Sequence, residues 1–165
     1  MIRVLVADDH PVMRLGLQLM IESAPDLVHC GSAANGVAAV SLAQQTAPDV
    51  VVLDVRMPGG DGIHAARRIR ELLPDTGVVI HTSLASAEAG AQAAGVDAFV
   101  LKGATPQTLI EHIRSADTTR RATKRTSDGK GSRTDPVATT RSHSRPTPGS
   151  RLPLTHPSQS ITADL

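Results

Sequence analysis

Five short apolar runs, separated by segments with helical spacing, constrain the fold of this chain more than any other feature. They are Val4–Ala7, Leu27–Cys30, Val50–Leu53, Val78–Ile80 and Ala98–Leu101. Runs of this length without polar alternation are typical of parallel strands that are covered on both faces. Five such strands alternating with helices predict an α/β fold with a doubly wound, five-stranded parallel sheet.

The segments between the runs contain helix signals. Pro11 suits the first turn of a helix, and Thr105–Pro106 has the pattern of an N-cap followed by a first-turn proline. Apolar residues at helical spacing follow Pro11, namely Val12, Leu15 and Leu19. The glycine-rich stretch 59–62 is expected to be a loop that precedes the third helix.

Several reactive or charged side chains have simple structural interpretations. Cys30 is expected to pack as a small apolar residue. His10 is expected in the loop before the first helix, and His81 is expected to be a hydrogen-bonded histidine within a strand. The third helix should expose three arginines to solvent, namely Arg67, Arg68 and Arg70.

Charge and composition divide the chain near residue 115. Residues 1–114 hold 8 Lys and Arg against 12 Asp and Glu, whereas residues 115–165 hold 9 against 4. The second stretch has 18 Ser and Thr and 5 Pro, and few aliphatic side chains. It buries too little apolar surface to offset the entropy of ordering its backbone, about 1–2 kcal/mol per residue. The sequence therefore predicts a folded domain over residues 1–115 and a basic, disordered tail over residues 116–165.

Composition also excludes several classes of protein. No uncharged apolar stretch reaches the length of a membrane span, and the first residues do not form a secretory signal. A single cysteine excludes a disulfide framework and a cysteine-based zinc site. With Phe99 as the only aromatic residue, binding of single-stranded nucleic acid by base stacking is not expected. We expect a cytoplasmic protein with no membrane partner.

Polar residues follow four of the five predicted strands at the point where each strand ends. They are Asp8 and Asp9, Asp54, Thr82, and Lys102. The carboxyl ends of parallel strands meet at one edge of the sheet, so these side chains should converge there. Three carboxylates in one place favour a hard divalent ion, most naturally Mg²⁺. Together with an ammonium and a hydroxyl group they indicate a phosphoryl-transfer site, in which one carboxylate can act as nucleophile.

Three sequence blocks resemble the receiver domain of two-component response regulators, and specifically its NarL/FixJ-type subclass. They are Val6–Pro11, Leu53–Gly62 and Phe99–Lys102. The resemblance covers residues 2 to about 115 and implies a flavodoxin-like sheet with strand order 2-1-3-4-5. It also implies a phosphorelay switch, with a sensor histidine kinase as partner, rather than a metabolic enzyme. A homodimer is compatible with it.

Functional residues follow from the resemblance position by position. Asp54 would be the phosphorylated residue, and Lys102 would neutralise phosphoryl oxygens. Mg²⁺ would be bound by Asp8, Asp9, Asp54 and the backbone carbonyl of Arg56, with Asp8 acting largely through water. Thr82 and Phe99 would be the residues that switch conformation, and Thr82 would also contact the phosphoryl group.

The sequence departs from this subclass in two places. The segment from Thr82 to Lys102 is short, and its Ala- and Gly-rich stretch 85–94 lacks the bulky anchors expected of the fourth helix, so signal output could be weakened. No helix-turn-helix pattern follows residue 115. Specific DNA binding is therefore not expected, although the basic tail could bind phosphate backbones weakly. A transcriptional regulator whose DNA-binding module is truncated or out of frame remains the alternative. A haloacid-dehalogenase-like phosphohydrolase is disfavoured, because that class needs a second Asp two positions after its nucleophile and His10 stands two positions after Asp8.

Overall fold

The computed structural model describes residues 1–58 and 61–128, so Gly59, Gly60 and the stretch 129–165 lie outside the described residues. The strands are β1 (Ile2–Ala7), β2 (Leu27–Ala33), β3 (Val50–Leu53), β4 (Gly77–Thr82) and β5 (Ala98–Leu101). The helices are α1 (Pro11–Glu22), α2 (Gly36–Thr46), α3 (Gly62–Leu72), α4 (Glu88–Ala93) and α5 (Pro106–Asp128), and a 3₁₀ turn, Ala85–Ala87, precedes α4.

The five strands form one parallel sheet in the order β2-β1-β3-β4-β5. The predicted five-stranded parallel α/β fold and its 2-1-3-4-5 order are therefore confirmed. In this order the chain reverses its direction of winding between β1 and β3, and ligands bind beyond the carboxyl ends of the strands at such a switch point. The residues after β1 and β3 therefore have the position that a binding site requires.

The sheet lies between two layers of helices and its core is aliphatic. Val4, Val6 and Val79 face the layer formed by α1 and α5, whereas Leu5 and Ile80 face the layer that contains α2, α3 and α4. These five side chains are completely buried. Alternating residues of each strand thus pack against opposite helix layers, which explains why the strands have continuous apolar runs.

The apolar residues that mark α1 in the sequence do not form its buried face. Leu17 and Ile21 are buried, while the stripe at helical spacing lies in solvent: Val12 is 81% exposed, Leu15 55% and Leu19 58%. The spacing predicted the helix but not the orientation of that helix on the sheet.

The folded part extends beyond the expected boundary at residue 115. α5 continues to Asp128, so residues 116–128 are helical and that part of the predicted disordered tail is corrected. Ala116 is only 2% exposed. It packs so closely against Gly77 that a Cβ added to this glycine would lie 3.1 Å from the Cβ of Ala116. Three ion pairs then join α5 to the domain, namely Arg120–Asp97, Arg121–Asp49 and Lys124–Asp75. The predicted disorder of the remaining tail concerns residues 129–165, outside the described residues.

One arginine of α3 also differs from expectation. Arg67 and Arg68 are exposed, but the Arg70 side chain is only 14% exposed and binds Asp97 at 2.5 Å. It also donates to the backbone carbonyls of Gly95 and Thr76. α4 has only six residues, in agreement with the weak helix signal of its sequence. Within the part of the chain that the structure describes, no helix combines the length and apolar character needed to cross a bilayer.

Candidate functional site

The backbone fixes the position of each strand-end residue. The amide of Asp54 donates to the carbonyl of Ala7 at 2.8 Å, so the β1–β3 pairing continues one residue beyond β3. The amide of Lys102 likewise donates to the carbonyl of Thr82 at 2.8 Å. Because these bonds extend the sheet, the side chains that leave its edge there have defined directions.

Lys102 joins two of the carboxylates. Its Nζ lies 2.6 Å from Asp8 Oδ2 and 2.6 Å from Asp54 Oδ2, although these residues are 94 and 48 positions away in the chain. The Lys102 side chain is 13% exposed and the two carboxylates are less exposed still. Burial would lower the pKa of Lys102, but the hydrogen bonds and charges of Asp54 and Asp8 outweigh it and raise that pKa. Lys102 is therefore a fixed positive charge at neutral pH.

The carboxylate of Asp54 is kept ionised. Burial would raise its pKa, but hydrogen bonds from Lys102 and Thr82, the charge of Lys102 and the amide of Arg56 together hold the pKa of Asp54 below its usual value. An ionised carboxylate with defined hydrogen-bond partners is the form that can act as a nucleophile.

Asp8, Asp9, His10 and Asp54 present ligand atoms that all lie within 4.8 Å of one another. Asp8 Oδ1 accepts a hydrogen bond from the amide of His10, the N-cap of α1, whose ring Nδ1 lies 2.7 Å from Asp9 Oδ1. Asp9 Oδ1 is inaccessible to solvent, and the contact with the His10 ring is not aligned as a hydrogen bond, so this oxygen accepts none from the residues that the structure describes. An acidic cluster with an unsatisfied carboxylate oxygen fits a hard divalent cation such as Mg²⁺.

Arg56 lies at an open cavity of about 570 Å³ beside this cluster, together with Asp9, Asp61 and Leu84. Its guanidinium reaches Ser83 Oγ at 3.4 Å. Gly62 closes the wall of the site so tightly that an added Cβ would lie 1.8 Å from the backbone oxygen of Asp54. The start of α3 is therefore packed directly against the backbone of the acidic residue.

Thr82 and Phe99 lie on adjacent strands. Thr82 is fully buried, and its Oγ1 accepts a hydrogen bond from the amide of Leu84 at 3.3 Å. Phe99 is partly buried against the core on the α2–α4 side of the sheet, opposite Ile80 of β4. The structure thus brings Asp8, Asp9, Asp54, Thr82 and Lys102 together, while Phe99 lies on the neighbouring strand and contacts the core.

Sequence reasoning missed two residues that shape the site. The guanidinium of Arg14 donates to the backbone carbonyls of Asp8 and Asp9, at 2.7 and 3.1 Å, and so ties α1 to the acidic loop. Asp61 caps α3 by accepting from the amide of Ile63 and also lines the cavity. Arg14 stands four residues after His10, on the first turn of α1, and this spacing is the only sequence signal for its role.

Comparison with known proteins gives one consistent result. The family model of the response regulator receiver domain matches residues 4–114. The chain is 40% identical over 117 residues to the uncharacterized transcriptional regulatory protein YxjL of Bacillus subtilis, covering 70% of this chain and 54% of that protein. It is 33% identical over 116 residues to the nitrate/nitrite response regulator protein NarL of Escherichia coli, covering 68% and 53%. This chain thus spans about half the length of the curated relatives it matches.

A solved structure agrees with these relatives. The two-component response regulator of the LuxR family from Aurantimonas superposes with a TM-score of 0.68 and 32% identity, covering 72% of this chain and 86% of the other. The similarity therefore extends from sequence blocks to the whole arrangement of strands and helices.

Proposed function

This chain belongs to the response regulator receiver domain family, and on that premise we propose that it is a signalling switch whose phosphoryl acceptor is Asp54. The donor is a phosphohistidine of a sensor histidine kinase. The observation that supports the proposal most directly is the Lys102 ammonium, held 2.6 Å from both Asp54 and Asp8 at the carboxyl edge of the sheet.

In the transfer, a carboxylate oxygen of Asp54 forms a bond to phosphorus while the phosphorus–nitrogen bond of the phosphohistidine breaks. The electron pair of that bond stays on the imidazole nitrogen of the kinase, and Asp54 becomes an acyl phosphate. Lys102, already oriented by Asp8, stabilises the negative charge of the phosphoryl oxygens. Preorganised positive charge of this kind lowers the barrier because it needs no rearrangement during the reaction.

Asp8, Asp9 and Asp54, together with the backbone carbonyl of Arg56, would hold Mg²⁺. When bound, the ion would neutralise phosphoryl oxygens and so let an anionic donor approach this acidic edge. The buried Oδ1 of Asp9 supports that assignment, because it makes no hydrogen bond to the described residues and its contact with the His10 ring is an ion pair only when that ring is protonated.

Thr82 and Phe99 would convert phosphorylation into a change of shape. The Thr82 hydroxyl is close enough to Asp54 to help lower the pKa of that carboxyl, so a phosphoryl group at Asp54 would offer this hydroxyl new acceptor oxygens. A shift of Thr82 would act on the neighbouring strand, where Phe99 is only partly buried. The added dianion thereby favours one of two local arrangements.

The decisive test is intact mass after incubation with acetyl phosphate, with and without Mg²⁺. We expect a gain of one phosphoryl group that requires Mg²⁺ and is absent in Asp54→Asn. Asp61→Asn is the matched control, since it removes a carboxylate from the same cavity but keeps the helix cap. No gain in folded wild-type protein, or an equal gain in Asp54→Asn, would refute the assignment.

The output of the switch is a separate proposal. The curated relatives are named as regulatory proteins, so we propose that phosphorylation of this chain controls transcription from a cytoplasmic location, not as a metabolic enzyme. A regulator with a truncated or frameshifted DNA-binding module is the alternative. Gel-shift titrations with genomic fragments test both proposals, because each predicts only weak, salt-sensitive binding without sequence preference, and salt-insensitive, sequence-specific binding would refute them. The other reading frames of the gene separate the two: a helix-turn-helix in another frame supports the alternative, and none in any frame removes it.

A further inference from the structure

A second cavity lies on the α1–α5 side of the sheet, on the other side of Lys102 from the phosphorylation site. It has a volume of about 250 Å³ and lies between α1 and the β5–α5 connection. Its walls are mostly apolar, with Met13, Leu17 and Met20 from α1 and Leu109 from α5. This volume is slightly below that of typical drug-sized ligand pockets.

His81 lines this cavity and has no polar partner. It occupies the position on β4 where its side chain shares the α1–α5 face with Val79, and its exposure is only 7%. Nδ1 is inaccessible to solvent and unpaired, and the imidazole makes no hydrogen bond with any residue in the described part of the chain. The sequence-based expectation of a hydrogen-bonded histidine is therefore wrong. A buried polar group without a partner is destabilising, so an imidazole here calls for an explanation beyond packing.

Gly16 keeps the α1 side of the cavity open. It lies in the interior of α1, where glycine disfavours the helix relative to alanine. The fold does not require it, because an added Cβ would meet nothing within 4 Å and its φ is not positive. Gly16 therefore lowers the stability of α1 without being needed for close packing. Its effect is that the α1 wall of the cavity carries no side chain at this position.

From these three observations we propose that the α1–α5 cavity is a binding site for a small, uncharged, largely apolar molecule with one hydrogen-bonding group. A molecule of about one aromatic ring would fill the space, bury its apolar part against Met13, Leu17 and Met20, and hydrogen-bond to Nε2 of His81, the ring nitrogen that is not sealed from solvent. Lys102 lines the cavity and also binds Asp8 and Asp54. Occupancy would therefore be communicated to the phosphorylation site, a consequence that rests on the proposed function, although binding itself does not.

Phenol and toluene test the site because they differ only by a hydroxyl in place of a methyl group. We would titrate each into the ¹⁵N-labelled full chain and follow amide chemical shifts. Phenol should bind at least fivefold more tightly than toluene, with shifts concentrated in residues 13–20 and 102–109. In His81→Leu the two affinities should become equal. Equal affinities in the wild type, no binding, or shifts centred elsewhere would overturn the proposal.

Two substitutions at one position test the location independently. Gly16→Leu should fill the opening and reduce phenol binding at least tenfold, whereas Gly16→Ala should bind phenol as the wild type does. Both variants should fold, because each replaces a helix-interior glycine with a better helix former. Unchanged binding in Gly16→Leu would refute the site. Because these titrations do not depend on phosphorylation, their failure would leave the role of Asp54 untouched.

Discussion

Removing the carboxylate of Asp97 should cost this domain a large part of its stability. The Asp97 side chain is 5% exposed and accepts three bonds, from Arg70 at 2.5 Å, from Arg120 at 2.6 Å and from the amide of Val78 at 2.8 Å. It thereby joins α3, α5 and β4. Asp97→Ala leaves all three donors without this acceptor.

The magnitude follows from the number of orphaned donors and their access to water. A hydrogen bond to a charged group contributes about 1.5–3 kcal/mol, so three set an upper limit near 9 kcal/mol. Arg70 and Arg120 retain 14% and 21% exposure, and Arg70 keeps two backbone acceptors, so water and those bonds recover part of the loss. We therefore expect a loss of about 3–5 kcal/mol, as for other broken buried ion pairs. Burial raises the pKa of Asp97, so the neutral isostere Asp97→Asn should cost less than Asp97→Ala.

Urea unfolding followed by far-UV circular dichroism measures this loss, since the chain has no Trp or Tyr for fluorescence. With a slope of about 1–3 kcal/mol per molar urea, the midpoint should fall by at least about 1 M. Asp75→Ala is the matched control, because its pair with Lys124 is 56% exposed on both sides and should contribute about 0–1 kcal/mol. If Asp97→Ala were no less stable than Asp75→Ala, the cluster would not hold α5 and the reasoning would be wrong.

Three further results are expected. Gly62→Ala should lower the free energy of unfolding by about 1–3 kcal/mol or more and abolish phosphorylation, because its Cβ would lie 1.8 Å from the backbone oxygen of Asp54. The control Gly16→Ala, whose Cβ meets no atom within 4 Å, should have neither effect, and equal urea midpoints for the two variants would contradict this. Burial, with a further contribution from Lys102, lowers the pKa of His81, so below about pH 6.5 the unfolded chain takes up a proton that the folded chain does not, and the free energy of unfolding decreases as the pH is lowered. Between pH 7 and pH 5 this decrease, measured by urea unfolding, should be smaller in His81→Leu than in the wild type, and an identical decrease would exclude a contribution from His81. Burial raises the pKa of the Cys30 thiol, so iodoacetamide at pH 8 should alkylate Cys30 more slowly in the folded than in the urea-unfolded protein. Mass spectrometry follows the reaction, and equal rates would show that the thiol is accessible and that its pKa is not raised.

The sheet and its acidic edge could be predicted because each depends on local sequence. Continuous apolar runs such as Val50–Leu53 indicate strands covered on both faces, and the polar residue that follows each run must then lie at one edge. Lys102 and Asp54 meet for this reason, although 48 positions separate them. The contact needs only the strand order.

What could not be predicted depends on pairings between distant charges and on helix orientation. Residues 116–126 look like a tail because they contain few aliphatic side chains, yet Arg120 and Arg121 find partners on other elements. Arg70 looks solvated on its own helix and is buried only because Asp97 lies opposite. The unpaired imidazole of His81 likewise becomes visible only when α1 and α5 are in place.

The length of α5 carries it from one edge of the sheet to the other. The helix begins at Pro106, four residues after Lys102 at the carboxyl edge, and runs for 23 residues, a distance of about 34 Å at 1.5 Å per residue. Its last turns reach the amino edge, where Lys124 pairs with Asp75 shortly before β4. Because each residue in a helix turns the chain by about 100°, inserting or deleting a single residue after Ala116 would rotate Arg120, Arg121 and Lys124 away from their partners without altering the acidic cluster. The register of α5 therefore depends on contacts that lie far from that cluster.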